Sequence, residues 1–286
     1  MSRIKGTTKL LGVIGHPIAH TLSPAMHNAA IEYLGLDYIY LPFPIAPAQL
    51  AIALDGFAAM GVVGLSVTIP HKQAVIPHLA KISDLAQAVG AVNTLRWTEA
   101  GWEGTNTDVA GFISPLQAMQ RDWSREVAVV LGNGGAARAV VAGCHQLGFR
   151  EIWVVGRNRT NLEEFQASWT SVNCQTYLWE ELPSLINQAS LLVNTTPIGM
   201  HPQTGDSPVS GELMDRLPSQ AIIYDLIYTP HPTELLKLAT ARGATTIDGI
   251  EMLVQQGSVA FEWWLDRQAP VAIMRQALLN WLETKD

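Results

Sequence analysis

Two hydrophobic rhythms alternate along the chain. Short, nearly continuous apolar runs read as buried strands, and stretches with apolar residues three and four apart read as amphipathic helices. Leu10–Gly15 is the first run, ended by His16-Pro17. Ser23-Pro24 then signals a helix, with Ser23 as N-cap and Pro24 at the first helical position. Met26, Ala29, Ala30, Tyr33 and Leu34 keep helical spacing until Gly35 closes it. Tyr38–Phe43 reads as a strand, Ala48–Met60 as a helix and Gly64–Ile69 as a strand stopped by Pro70. Gln73–Ala80 and Ser83–Ala88 look helical, and Val92–Trp97 with Trp102–Thr105 suits a hairpin. From Asp108 a helix leads onward. Strands at Val127–Leu131, Ile152–Val155, Leu191–Asn194 and Ala221–Leu226 then alternate with helical stretches near 136–147, 160–168, 181–188 and 232–241. Residues 249–286 are helical and rich in Trp and Leu. Such alternation predicts an α/β protein with a doubly wound parallel sheet in its later part.

At 286 residues there is room for two domains, and 48% hydrophobic against 15% charged residues indicates a well-buried globular chain. A formal net charge of −7 argues against nucleic-acid or anionic-membrane partners, so an anionic ligand must be met by local cations or backbone donors. Cys144 and Cys174 lack metal-ligand spacing and read as buried thiols of a reducing cytoplasm. The first residues lack a signal-peptide core, and the apolar stretch Gly56–Val67 is too short to span a bilayer. His16 and His20 stand four apart, but Pro17 breaks the helix that ligation would need and no third ligand follows, so no metal site is expected.

The segment Leu131-Gly132-Asn133-Gly134-Gly135-Ala136-Ala137-Arg138 follows a predicted strand and opens a helix. Glycines there let the backbone turn tightly and approach a pyrophosphate, and the helix N-terminus offers free N–H groups to that anion. The next strand ends in Gly156-Arg157-Asn158-Arg159 with no acidic residue. An Asp or Glu at this point would hold the ribose 2′-hydroxyl of NAD, whereas Arg suits the 2′-phosphate of NADP. Either Arg157 or Arg159 can fill that role, with Arg157 favoured by its place at the strand end. In the first half, Thr21, Ser23, Ser66, Thr68, Lys72, Asn93, Asn106, Thr107 and Asp108 gather at strand ends, where open α/β sheets bind ligands. Ser23 as a cap, Asn106 and Asp108 as turn organisers and Lys72 as a solvated lysine are the bland alternatives.

These segments, in order, resemble the shikimate dehydrogenase family. They are Gly15–Pro24, Ser66-Val67-Thr68-Ile69-Pro70-His71-Lys72, Gly90–Thr94, Gly104-Thr105-Asn106-Thr107-Asp108, the glycine loop, Asn194–Met200, Asp225–Pro230 and Asp248–Gln256. The resemblance runs from about residue 10 to about residue 265 and implies NADPH-dependent, reversible reduction of 3-dehydroshikimate to shikimate in aromatic amino-acid (chorismate) biosynthesis. A broader quinate/shikimate dehydrogenase, or a non-catalytic metabolite sensor, are the other readings. It implies Lys72 and Asp108 as the proton-transfer pair, without deciding between them, because hydride addition to a ketone leaves an alkoxide that needs a proton. It implies substrate contacts from Thr21, Ser23, Thr68, Asn93, Tyr228 and Gln256. It implies NADP contacts from Gly132, Asn133, Gly134, Gly135, Ala136, Arg157, Asn158, Arg159, Thr196, Met200 and Gly249. Thr21 and Ser66 depart from the family's usual Ser and Asn. The expected organisation is an N-terminal α/β substrate domain, 1–110 plus 249–286, and a Rossmann-like NADP domain, 111–248, closing over the substrate. The C-terminal helices return to the first domain, and the assembly is a monomer or homodimer.

Overall fold

The computed structural model describes residues 4–284. Two compact units are present: the chain up to Gly111 together with Val254 onward, and Phe112–Leu253. In the first unit the order is β1 (Lys9–Gly15), α1 (Ser23–Tyr33), β2 (Tyr38–Pro44), α2 (Leu50–Ala59), β3 (Val62–Val67), α3 (His71–Ala74), β4 (Lys81–Ile82), α4 (Asp84–Val89), β5 (Thr94–Thr98), β6 (Gly101–Thr105) and the start of α5 (Asp108–Ala118). The sheet order is β2-β1-β3-β5-β6-β4. β1 lies parallel to both β2 and β3, as helical crossovers require, and the β5–β6 hairpin adds antiparallel strands beside β3. Leu54 and Phe57 of α2 pack with Ile14, Leu65, Val67 and Leu95 of the sheet.

The second unit runs β7 (Val127–Leu131), α6 (Gly135–Gln146), β8 (Glu151–Gly156), α7 (Arg159–Ala167), β9 (Cys174–Leu178), α8 (Leu182–Leu185), β10 (Leu191–Asn194), α9 (Gly211–Met214), β11 (Ile222–Asp225), α10 (Glu234–Ala241) and β12 (Thr245–Ile247). Its strands are all parallel in the order β12-β11-β10-β7-β8-β9. β7, β10 and β11 are buried along their whole length, as expected of parallel strands covered on both faces. The chain fills β8 and β9 on one side of β7, then β10 to β12 on the other. The carboxyl ends of β7 and β10 therefore flank a topological switch point, where such sheets bind ligands.

The chain then continues into α11 (Gly249–Leu265) and α12 (Val271–Glu283). Within the first unit, α12 packs on α1, and Trp264 of α11 lies directly over Gly64 of β3. A Cβ at Gly64 would overlap the indole ring, so this strand glycine marks a close approach. The indole N–H donates to the Leu95 carbonyl at 2.8 Å. Of the C-terminal tryptophans, Trp264 is thus core of the first unit, whereas Trp263 and Trp281 are half-buried.

Several local expectations need correction. Ser23 is the first residue of α1, not its cap; Leu22 holds the cap position and no side chain caps the helix. The Ser23 N–H instead meets the Thr21 hydroxyl at 3.3 Å. Gln73–Ala80 is no single helix: α3 stops at Ala74 and a 3-10 turn covers Ile76–His78, because Pro77 cannot continue the hydrogen-bonding. Near 181–188 only Leu182–Leu185 is α-helical, between two 3-10 turns. The hydrophobic pattern does not announce strands β4, β9 and β12. Among the described residues, no helix is long and apolar enough to cross a membrane.

Candidate active site

Lys72 reaches the first unit's site from α3, just beyond the end of β3. Its carbonyl accepts the Val92 N–H at 2.7 Å, which pins α3 to the segment leading into β5. Asp108 opens α5, where a carboxylate is favoured by the helix dipole. Asn106 caps this helix: its Oδ1 accepts the N–H groups of Asp108 and Val109 at 3.0 and 3.3 Å, and its amide donates to the Ala91 carbonyl at 2.9 Å. Lys72 Nζ donates to Asp108 Oδ2 at 2.5 Å, with the two side chains only 15% and 7% exposed. Asn93 Nδ2 lies 2.9 Å from Asp108 Oδ1, 3.0 Å from Thr107 Oγ1 and 3.4 Å from Gln256 Oε1. Its Oδ1 accepts the Thr107 N–H at 2.7 Å and the Thr94 hydroxyl at 2.9 Å. Both Asp108 oxygens are therefore engaged, and the ammonium is held in one place with donor capacity left over.

A second cluster sits at the end of β1 and the start of α1. The Thr21 hydroxyl donates to Ser23 Oγ at 3.3 Å, and Ser23 is buried. Tyr40, fully buried on β2, donates its phenol proton to Ser66 Oγ at 2.8 Å. Burial raises the Tyr40 phenol's pKa, opposed by its hydrogen bonds to Ser66 and Ser23. Thr68 follows β3, and its methyl lies so close to Gly15 that a Cβ there would overlap it. Sequence reasoning missed Tyr40, whose place in an apolar strand looks like core, and His27. The His27 ring is stacked on Tyr40 at 4.3 Å and buried, and neither ring nitrogen has a hydrogen-bond partner among the described residues. Burial pulls its pKa down to about 3, so it is neutral.

In the second unit, Gly132 follows β7 with φ +101°, and a Cβ there would sit 2.7 Å from the Thr195 hydroxyl oxygen. Gly134, by contrast, has nothing within 4 Å of where a Cβ would stand, and it caps α6 without a side chain. Gly135 and Ala136 form the first turn. The result is an open cradle with free N–H groups, which fits a pyrophosphate. Asn133 lies on the same loop, with its Oδ1 3.4 Å from where a Gly156 Cβ would stand. Arg157 follows β8 and is exposed, Asn158 caps α7 by accepting the Asn161 N–H at 2.9 Å, and Arg159 begins α7. Neither arginine forms an ion pair among the described residues, so two cations stand free at the strand tip. The Thr196 hydroxyl donates to Asn194 Oδ1 at 2.7 Å, Met200 closes the same turn, and Tyr228 is half-buried beyond β11. Gly249 packs against the Leu226–Ile227 backbone, where a Cβ would overlap the Leu226 carbonyl. The residues present fit a dinucleotide with a 2′-phosphate.

A nearly buried lysine–aspartate ion pair in one α/β unit, and a doubly wound unit with a glycine loop and a basic strand tip, define a class: the two-unit, dinucleotide-dependent α/β dehydrogenases. Family profiles narrow it. That of the shikimate dehydrogenase substrate binding domain matches residues 13–95, that of shikimate / quinate 5-dehydrogenase 116–226, and that of the shikimate 5′-dehydrogenase C-terminal domain 249–279. A shikimate dehydrogenase (NADP(+)) of Trichormus variabilis is 61% identical over 281 residues, covering 96% of this chain and 97% of its own. Shikimate dehydrogenase of Aquifex aeolicus superposes with a TM-score of 0.88 at 33% identity over 96% of this chain and 99% of its own. The enzyme of Thermus thermophilus, solved in complex with NADP(H) and shikimate, gives 0.84 at 33% identity over 95% and 99%. The chain belongs to the shikimate dehydrogenase family.

Proposed function

We propose that this protein reduces 3-dehydroshikimate to shikimate with NADPH, reversibly, as a step of chorismate biosynthesis. The observation that carries the reading is the nearly buried Lys72–Asp108 pair at 2.5 Å, set among Asn93, Thr107 and Gln256. NADPH supplies the hydride. Lys72 stabilises the alkoxide that hydride addition leaves and gives it a proton, because its ammonium is the donor of the pair. Asp108 holds the ammonium in place, since both its oxygens already accept hydrogen bonds from Lys72 and Asn93. In the oxidative direction neutral Lys72 takes the hydroxyl proton. Thr21, Ser23 and Thr68 supply hydroxyls, and Asn93 and Gln256 amides, for a polyhydroxylated acid; Tyr228 is a further substrate contact. Gly132 to Ala136 hold the pyrophosphate, and Arg157, with Asn158 and Arg159 beside it, holds the 2′-phosphate. Thr196, Met200 and Gly249 lie on the nicotinamide side. The buried, unpaired thiols of Cys144 and Cys174 support a cytoplasmic setting, and the enzyme acts as a monomer or homodimer.

The test is loss of NADPH absorbance when 3-dehydroshikimate is added to the purified protein. Comparable turnover of quinate, or of NAD+, would assign the broader quinate/shikimate activity. Shikimate binding without turnover would assign a sensor.

A further inference from the structure

Asp225 ends β11 and is fully buried, yet it has no role in the chemistry above. Its Oδ1 accepts from Asn194 Nδ2 at 3.0 Å and from the Ile227 N–H at 3.1 Å. Its Oδ2 accepts the Thr233 hydroxyl at 2.6 Å. Asn194 ends the neighbouring β10, and its own Oδ1 accepts the Thr196 N–H at 3.0 Å and the Thr196 hydroxyl at 2.7 Å. Its amide also reaches the Ile198 carbonyl at 3.2 Å. The 195–200 loop is tied in turn to the glycine loop, because the Thr195 hydroxyl bonds the Leu131 carbonyl at 2.7 Å and abuts Gly132. On the other side, Leu226 and Ile227 abut Gly249. One carboxylate thus ties together the ends of β10 and β11 and the start of α10, and the 195–200 loop carries the connection on to the end of β7, beside the switch point.

We infer that Asp225 is a positioning residue for dinucleotide binding: its ionised carboxylate holds the 195–200 and 226–228 loops in the binding arrangement, and taking up a proton there loosens them. The inference rests on the dinucleotide reading of the second unit. An ionised carboxylate accepts from all three donors at once. A protonated one must place its own O–H among them, which it does only by turning the Thr233 hydroxyl from donor to acceptor or by displacing an N–H, so the three-donor arrangement is not kept. Burial raises the Asp225 pKa to about 6, against smaller opposing effects of Thr233, Ile227 and Asn194. Titratable groups on the neighbouring elements include Tyr224, Tyr228, His231, Glu234, Lys237, Asp248 and Glu251, and the partners of Asp225 among the described residues are Asn194, Ile227 and Thr233. Asp248 faces His231 at 3.8 Å, and Glu234 faces Lys237 at 3.5 Å.

The test is the affinity of the full chain for NADP+, measured by calorimetry from pH 5 to pH 8, for wild type, Asp225→Asn, Thr233→Val and Thr233→Ser. Wild-type affinity should fall by about fivefold or more as pH drops through Asp225's titration, the lower end of typical coupling between two sites. Asp225→Asn, neutral at every pH, should bind weakly throughout and lack that step. The ligand's own titration is common to both proteins and cancels in the comparison. Thr233→Val removes a donor to the carboxylate and should move the step to higher pH, while Thr233→Ser should leave it in place; this pair decides the matter if Asp225→Asn fails to fold. In the ligand-free protein, the Thr196 and Ile227 amides should lose exchange protection across the same step. Parallel affinity–pH curves for wild type and Asp225→Asn, or an unmoved step in Thr233→Val, would overturn the inference alone. A wild type that takes up no dinucleotide would overturn the functional reading along with it.

Discussion

At the scale of single residues, environment assigns the roles. In the proposed mechanism Lys72 is the proton donor and Asp108 its anchor, a division supported by the hydrogen bonds that both Asp108 oxygens already accept. Lys72→Ala should lower turnover by about 10²–10⁴-fold, the usual contribution of a positioned acid–base group, with a much smaller change in KM. Asp108→Asn should do the same, since the amide keeps the shape without the charge. Steady-state rates decide, and a Lys72→Ala enzyme with half the wild-type turnover would remove Lys72 from the mechanism. His27 makes a different prediction. Its folded pKa of about 3 lies below the unfolded value of about 6.5, so between those limits the unfolded chain binds the extra proton. Stability should therefore fall as pH drops through that window, by about 1.4 kcal/mol per pH unit from this group, and be unaffected by it above about pH 6.5. Asp225 works against this below about pH 6, because the folded chain then holds more protons there. His27→Phe keeps an aromatic ring against Tyr40 but removes the titration, so in urea unfolding its stability relative to wild type should increase steadily as pH drops from about 6.5 to about 4, whatever Asp225 contributes to both proteins. Parallel profiles would sink the idea.

At the scale of elements, two glycines show how a missing Cβ serves packing in one place and a ligand in another. Gly64 lies beneath the Trp264 indole, so Gly64→Ala overpacks the first unit's core and should cost about 1–3 kcal/mol of stability. Gly134 has nothing near its missing Cβ, so Gly134→Ala should leave stability within about 0.5 kcal/mol of wild type. The same methyl would protrude into the pyrophosphate cradle, and NADP+ affinity should drop about tenfold or more. Thermal unfolding and a binding titration on both variants separate the two effects. A Gly134→Ala protein that binds NADP+ as wild type does would place the pyrophosphate elsewhere.

For the molecule as a whole, cofactor choice becomes a stability difference. Saturation at about 100 times Kd should stabilise the fold by about 2.7 kcal/mol, so NADP+ should raise Tm at concentrations where NAD+ does little. Arg157→Ala should erase that difference, because NAD+ has no 2′-phosphate for a guanidinium to hold. If Arg159→Ala erases it instead, the phosphate contact lies two residues further on, and equal Tm shifts for the wild type would defeat the NADP preference itself.

Sequence alone was enough for the alternation of strands and helices, the glycine cradle after β7, the basic tip after β8 and the candidate Lys72 and Asp108. Each is written in a short stretch of chain, as a local hydrophobic period, a backbone requirement or a motif. Strands β9 and β12 were not legible, because Cys174–Leu178 and Thr245–Ile247 are short and partly exposed and become strands through hydrogen bonds to β8 and β11. Ser23 reads as a cap from its place before Pro24, and only the fold shows its N–H meeting Thr21 instead. Tyr40 with Ser66, His27 against Tyr40, and Asp225 with Asn194 and Thr233 needed the tertiary structure as well. What a buried polar group does depends on what surrounds it in place of water, and those neighbours come from separate elements that only the fold brings together.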